Sequence, residues 1–346
     1  LNPETRIITM PGGTRSPLFV RKQSGGMFAI ESEDVTTGQR FYVDSGNTSN
    51  GADTASKGRN PDFPFLTIDY AIGQAGASNG DIIYVMPGHT ESITAAGGIT
   101  QDVIGVKIKG LGAGATRPVV TWASTDNSAT WLITAAECSV ENIIGVCADD
   151  GLTSAFVVSA ADVSLDIEWR DGSSTIEAAQ CINATADADR LDIKLKYVGF
   201  IAGNACITPI YLDGLSNARV DIDFYGKAST AVVEFKDTAV VDVNVTGYMY
   251  NSGTTNYTKS VVDTATGSTW FADFFDGAAG GRVSGGSGGA LAADDIGTVD
   301  SKVVSVGNQV TTVDNEISTL DSKADSTATL WSTQYSTIIS KLDSNS

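Results

Sequence analysis

The chain holds a single histidine, His89, and four cysteines, Cys138, Cys147, Cys181 and Cys206. One histidine excludes a histidine-based metal cluster within one chain. It also confines any Ser-His-Asp set to one residue in P-G-H-T-E, a turn-like stretch where a structural role is expected. None of the cysteines has C-x-x-C spacing, and all lie in or beside strand-like runs, so they read as small buried hydrophobes rather than a disulfide framework. No run of about 18 apolar residues occurs, so no membrane-spanning helix is expected. No apolar core follows a basic start, so no signal peptide is expected either. Charged residues are scarce at 18 %, and aromatics, at 8 %, are thin for stacking sugars. Basic residues number 22 against 41 acidic ones, a net charge of −19, which argues against nucleic acid as a partner.

What the chain has is a recurring strand. The runs V-S-L-D-I-E-W (163–169), L-D-I-K-L-K-Y (191–197), V-D-I-D-F (220–224) and V-D-V-N-V (241–245) each place apolar residues at every second position. That is the period of a strand with one face buried. Each contains an aspartate followed by an aliphatic residue: Asp166, Asp192, Asp221 and Asp242, spaced by 26, 29 and 21 residues. A similar pair, Asn142-Ile143, lies 24 residues before Asp166. Recurrence at this period is the signature of a solenoid whose turns bury their apolar faces only by stacking. The fold class is all-β, a right-handed parallel β-helix. A solenoid also explains how 346 residues share one extended core. If the aspartates stack in register, they form a column with about 4.8 Å between carboxylates. Such a column repels itself unless solvent, a partner chain or a cation relieves it, which makes Asp166, Asp192, Asp221 and Asp242 weak metal candidates.

Residues 1–40 read differently. Arg6, Arg15, Arg21 and Lys22 face one acid, Glu4, before Ile30, and Pro3, Pro11, Pro17, Gly12, Gly13, Gly25 and Gly26 interrupt any regular element. A locally basic arm on an acidic protein suggests an extended segment that orders against an acidic or mixed partner surface. Next, F-Y-V-D-S-G (41–46) is a short strand, and P-F-L-T-I-D-Y-A-I (64–72) reads as a helix with Thr67 as N-cap and Ile68, Ala71, Ile72 and Ala75 on its apolar face. N-G-D (79–81) stops it, and I-I-Y-V-M-P-G (82–88) is the first full coil strand. Further strands are expected at 105–112, 118–122, 131–134 and 139–146.

The order Y-V-D-S-G, P-F-L-T-I-D-Y-A-I, G-D-I-I-Y-V-M-P-G-H-T-E resembles the start of pectin-lyase-like right-handed β-helix proteins, and within them the tailspike-like structural proteins of tailed bacteriophages. The resemblance covers about 50 residues directly and only in architecture thereafter. It implies that the short helix caps the open end of the first coil, an entry cap over 41–80. It implies a virion surface protein that decorates or stabilises the capsid as a cement protein, anchored by the arm to the major capsid protein or another virion protein. Contact with host-surface polysaccharide also follows from it, as does a rival function, a tail spike with depolymerase activity.

W-F-A-D-F-F (270–275) is a dense aromatic patch, either a plug closing the last coil or a contact between subunits. Residues 277–290, rich in Gly and Ser, read as a flexible linker after a β-helix spanning 41–276. Over 291–346 the period changes. Ile296, Val299, Val303, Val306, Val310, Val313, Ile317, Leu320 and Ala324 alternate by three and four, the a/d seam of a coiled coil. The seam resumes at Ala328, Trp331, Tyr335, Ile338 and Leu342 after a stutter. β-Branched residues at both a and d pack poorly in a parallel dimer and shift preference toward trimers and tetramers; the resemblance, to a family whose spikes are commonly threefold, implies a parallel homotrimer.

No carboxylate pair stands out for glycoside cleavage. Asp149-Asp150, Asp171, and Asp187 with Asp189 lie in apparent turns, where solvation is expected. Neither an enzyme nor a cofactor is therefore expected.

Overall fold

The computed structural model describes residues 36–252, 260–278, 280–286, 292–293 and 296–344, together with two short strands at 19–21 and 28–30. In chain order the elements are β1 (Phe19–Arg21), β2 (Phe28–Ile30), β3 (Arg40–Val43), α1 (Ile68–Ile72), β4 (Ile82–Val85), β5 (Thr90–Ile93), β6 (Ile99–Gln101), β7 (Lys107–Gly110), β8 (Val119–Trp122), β9 (Trp131–Ile133), β10 (Ser139–Cys147), β11 (Phe156–Val158) and β12 (Ser164–Arg170). There follow β13 (Ile182–Ala184), β14 (Asp192–Val198), β15 (Ile210–Leu212), β16 (Arg219–Gly226), β17 (Val233–Phe235), β18 (Val243–Asn251), β19 (Val261–Asp263), β20 (Trp270–Asp276), β21 (Gly281–Gly286), β22 (Ala292–Ala293) and α2 (Ile296–Asp343). Two units separate at Ala292/Ala293, one holding the strands and one holding α2.

The first unit is a parallel β-solenoid of about seven turns. Its long strands form a 13-stranded sheet running β3-β4-β7-β10-β12-β14-β16-β18-β20-β21-β22, with β5 and β8 joined at β10. Its short strands form a seven-stranded sheet, β6-β9-β11-β13-β15-β17-β19. From β10 to β19 each turn contributes one strand to each sheet, while the two turns before them give the large sheet two strands each, β4 with β5 and β7 with β8. The interior is filled by ladders of like positions: Leu165–Ile193–Val220–Val245, then Ile167–Leu195–Ile222–Gly247, then Gly145–Trp169–Tyr197–Phe224–Met249. From the short strands come Trp131–Phe156–Ile182–Ile210–Val233. These positions alternate with outward ones, which is why the period-2 runs were legible.

Seven left-handed residues set the register. Gly80, Gly105, Glu137, Asp162, Arg190, Asn217 and Asp242 have φ between 55° and 78°. Each stands two residues before a position on one ladder: Ile82, Lys107, Ser139, Ser164, Asp192, Arg219 and Asn244. Several of their N–H groups donate to the next turn: Glu137 to Ala161 O (3.1 Å), Asp162 to Asp189 O (2.8 Å), Arg190 to Ser216 O (2.8 Å) and Asn217 to Val241 O (2.8 Å). Asp, Asn and Gly tolerate this conformation best, whereas Glu137 and Arg190 adopt it at a cost. Gly247, with φ of 130°, sits inside the second ladder, where a Cβ would overlap the Ile222 carbonyl.

This register corrects the expected one. The Asp-aliphatic pairs, aligned with one another, would stack Ile167, Ile193, Ile222 and Val243 in consecutive turns; all four are buried on the inner face, but they are not stacked neighbours. Ile193 lies between Leu165 and Val220, Ile222 pairs with Leu195, and Val243 pairs with Trp270. The Asp-aliphatic pairs recur in sequence at shifted places in the strand, and a shift of two preserves the face, so alternation alone does not detect it. Ile143 does pair with Ile167, because Asn142 (φ 58°) bulges out of the ladder.

Helix α1 begins where expected. Thr67 is its N-cap, accepting the Tyr70 N–H, and Ile68, Ala71 and Ile72 are buried. Pro64–Leu66 precede the helix as an extended stretch, with Phe65 bridged to Val43. Two expectations fail. The stretch 1–40 contains the antiparallel pair β1–β2, where F-V-R and F-A-I, each opening on an aromatic, flank the glycines expected to break it. The Gly/Ser run 277–290 contains β21, antiparallel to β20, with Val283 buried. A single apolar residue sufficed to anchor a hairpin that the glycine content concealed.

Candidate functional site

The strongest candidate is the seam of α2. Of the expected trimer positions, Val313, Ile317 and Leu320 are exposed, as are Trp331, Tyr335, Ile338 and Leu342 further along, Trp331 at 70 %. The side chains of Ile296, Val299, Val303, Val306 and Val310 lie outside the described residues. Every side chain from 312 to 344 is exposed. Eight Ser and Thr hydroxyls between Thr319 and Thr337 donate to the carbonyl four residues back. Such residues are weak helix formers, and the apolar stripe of the 48-residue helix is exposed from Val313 to Leu342.

The outer face of the large sheet carries the aspartates, and there the expected column does not exist. Asp166 stands beside Lys194, and Lys194 beside Asp221, in one row. The Lys194 ammonium lies 3.4 Å from Asp166. Asp192 belongs to another row, between Ser164 and Arg219. Asp242 precedes β18 in the left-handed conformation and donates its N–H to Thr269. Lys194 thus separates Asp166 from Asp221, so the four aspartates do not face one another as a column, although Glu141 pairs with Asp166 in the same row. Among the described residues, no group of three or more His, Cys, Asp or Glu is arranged to hold a metal.

In the neighbouring row of the same face, two residues along β12 from Asp166, Glu168 is buried among three cations: Arg117 at 2.5 Å, Arg170 at 2.6 Å and Lys196 at 3.4 Å. Burial pushes its carboxyl up. The hydrogen bonds and charges of Arg117 and Arg170 outweigh this and hold it at about 2. Arg117 lies 51 residues away in sequence, and no local signal announces the pair.

His89 has the structural place expected of it. It is fully buried, its Nδ1 accepts the Ser45 N–H at 3.0 Å, and its Nε2 lies 3.1 Å from Glu91 Oε2. The same Glu91 oxygen accepts the Ile68 N–H that opens α1. One carboxylate and one imidazole therefore tie β3, α1 and β5 together. The four cysteines are buried and free.

Two of the acids expected to be solvated are not. Asp171 is half-buried at the corner after β12. Burial pushes its carboxyl up to about 7, despite a 2.7 Å hydrogen bond from the Tyr197 hydroxyl. Asp149 is buried, and its Oδ2 has no hydrogen-bond partner. Burial also raises Glu177, with Asp150 adding to the effect. Asp150 and Asp187 are exposed, while Asp189 accepts the Ser216 N–H at 2.7 Å. At this corner the Asp171 carboxyl therefore titrates near neutral pH, a property invisible in a sequence where it sits in a Gly- and Ser-rich turn.

The aromatic patch divides between its two readings. Trp270, Ala272 and Phe274 are buried and close the last turn, while Phe271 and Phe275 are exposed. Of the expected anchoring residues, Arg6, Arg15 and Lys22 lie outside the described residues, and Arg21 ends β1. Comparison with protein-family models, curated proteins and solved structures finds no match.

Proposed function

We propose that this chain is a structural protein of a tailed-phage particle: a tailspike-like homotrimer that decorates or stabilises the capsid surface. In this reading the solenoid is the right-handed β-helix of that class, α1 caps its first coil, and residues 1–40 anchor it to a capsid protein. The observation that carries the reading is the exposed apolar seam of α2, from Val313 to Leu342, on a helix too rich in Ser and Thr to stand well alone. A rigid shaft joined to a self-association device suits a protein that builds rather than catalyses. The ion-paired outer face and the inward spending of His89 and Glu91 accord with it. Native mass spectrometry of the full chain is expected to give a trimer, and labelled antibody is expected to mark heads in virion preparations. A monomer at micromolar concentration, or labelling confined to tail tips, overturns it.

Asp171 and Glu177 favour a second reading, the depolymerase. Release of reducing ends or unsaturated sugars from host capsule or lipopolysaccharide, abolished by Asp171→Asn, would establish it in place of the first.

A further inference from the structure

The outer face of the large sheet changes character along its length. Across β7 to β14 its rows are ionic: Lys109, Glu141, Asp166 and Lys194 in one, Glu168 and Lys196 in the next. Across β16 to β20 it becomes aromatic. One outward row runs Val198–Tyr225–Tyr250, and the adjacent row ends in Tyr248–Phe275. Val198, Tyr225, Tyr248 and Phe275 are all exposed, at 36 to 45 %. Gly277 keeps this surface open, since a Cβ there would overlap the Tyr248 hydroxyl. Asp223 and the Arg282–Asp273 ion pair border the strip. An apolar centre with a charged rim is the anatomy of a protein–protein contact.

The chain itself indicates the occupant. The sheet that carries the strip continues through β21 to β22, and only two residues, 294 and 295, separate β22 from α2. When the α2 seams of several copies associate, such a short tether holds the last turns of those copies at high effective concentration, while the ionic turns lie farther along each chain. The aromatic character begins on the turns nearest that tether. Ring geometry argues against sugar in the same place. Tyr248 and Phe275 stack at 5.7 Å and 7°, and Tyr225 and Tyr250 at 5.3 Å and 24°. In each pair the facing ring surfaces cover one another, whereas a pyranose needs an open ring face.

We propose that the strip formed by Val198, Tyr225, Tyr248, Tyr250 and Phe275 is a solenoid-to-solenoid contact between copies of this chain, a second interface beside the α2 seam. The proposal rests on the self-association put forward above. It is tested in the full chain by replacing Tyr248 with the photo-cross-linker p-benzoylphenylalanine, and Asp166 likewise as a control on the ionic turns. The oligomer is irradiated and the linked peptides are mapped. Adducts joining two copies at position 248 and not at 166 are expected. Tyr248→Lys is expected to weaken association about tenfold, the change that 1.4 kcal/mol produces, with the solenoid still folded by circular dichroism. An oligomer without inter-copy adducts at 248 overturns the strip while self-association stands. Adducts confined to one chain, equal yields at 166, or loss of the adducts when host polysaccharide is added also overturn it. A monomer overturns both readings.

Discussion

The Nδ1 atom of His89 accepts the backbone N–H of Ser45, which places the ring proton on Nε2, facing Glu91. Glu91 in turn receives the first N–H of α1 through Ile68. The only histidine of the chain is thus a structural splice between the strand, the helix and the first coil. His89→Ala leaves the Ser45 N–H and part of the Glu91 carboxylate unpaired in a buried site. A loss of about 2 to 4 kcal/mol is expected, measured as a lower urea midpoint at unchanged m-value. An unchanged midpoint would show that water or backbone movement replaces the ring.

Asp171 sets a pH dependence. Its folded-state pKa is raised from 3.8 to about 7 by burial, so the folded chain holds a proton there that the unfolded chain releases. Stability therefore falls as pH rises from about 4 to about 7, and below that window the group has no effect. Asp171→Asn keeps an acceptor for the Tyr197 hydroxyl and removes the ionisable group. It is expected to stabilise the protein above pH 7 by up to about 4 kcal/mol, and to leave stability at pH 4 unchanged. Thermal unfolding of both proteins at the two pH values decides this. Equal differences at both would assign the effect to packing.

Glu168 works in the opposite direction. Its folded-state pKa is lowered from 4.5 to about 2, because Arg117 and Arg170 more than offset its burial. The stability it contributes is present above about 4.5 and is lost as pH falls toward 2. Glu168→Gln leaves Arg117, Arg170 and Lys196 facing one another without their shared anion. A cost of about 3 kcal/mol at pH 7 is expected, shrinking at pH 3. A cost that is flat with pH would mean that shape, not charge, is what Glu168 supplies.

Glu137 occupies a left-handed position that Gly80 and Gly105 fill without strain. Glu137→Gly is expected to change stability by less than about 1 kcal/mol, in the stabilising direction. Glu137→Val, β-branched and intolerant of positive φ, is expected to lower the melting temperature by several degrees. Should the valine variant melt with the parent, the left-handed residues do not set the register.

How much of this was legible follows from what each pattern can carry. Alternation in 163–169 and 191–197 identified strands, inner faces and stacking, because a buried face imposes period 2 whatever the partner. It could not give the register, since Leu165 and Ile167 are equivalent to a period-2 reading. The informative mark was a Gly, Asn or Asp two residues before one ladder position, as at Gly105, Asp162, Asn217 and Asp242, obscured by Glu137 and Arg190 standing in the same role. Thr67 as N-cap was readable because capping is local. The Glu168–Arg117 pair and the partial burial of Asp171 were not, since both depend on which turns stack. The outward tyrosines of β18 left a local mark, since Tyr248 and Tyr250 flank the buried Met249, but Asn244 and Thr246 make the rest of that outward face polar and hide it.

The antiparallel strand that follows the last parallel one has a further consequence. Within the solenoid each turn offers the next a parallel edge, with evenly spaced, slanted hydrogen bonds. If β20 were the last strand, its free edge would be a template on which a first turn of another molecule could continue the stack, and chains would grow end to end into fibres. Instead β21 folds back antiparallel on β20 through Phe271–Gly286 to Asp276–Gly281. It occupies that edge with a glycine-rich strand whose direction and hydrogen-bond spacing do not match an incoming turn. A short run of glycine and serine, with Val283 as its one anchor, gives the solenoid a definite length.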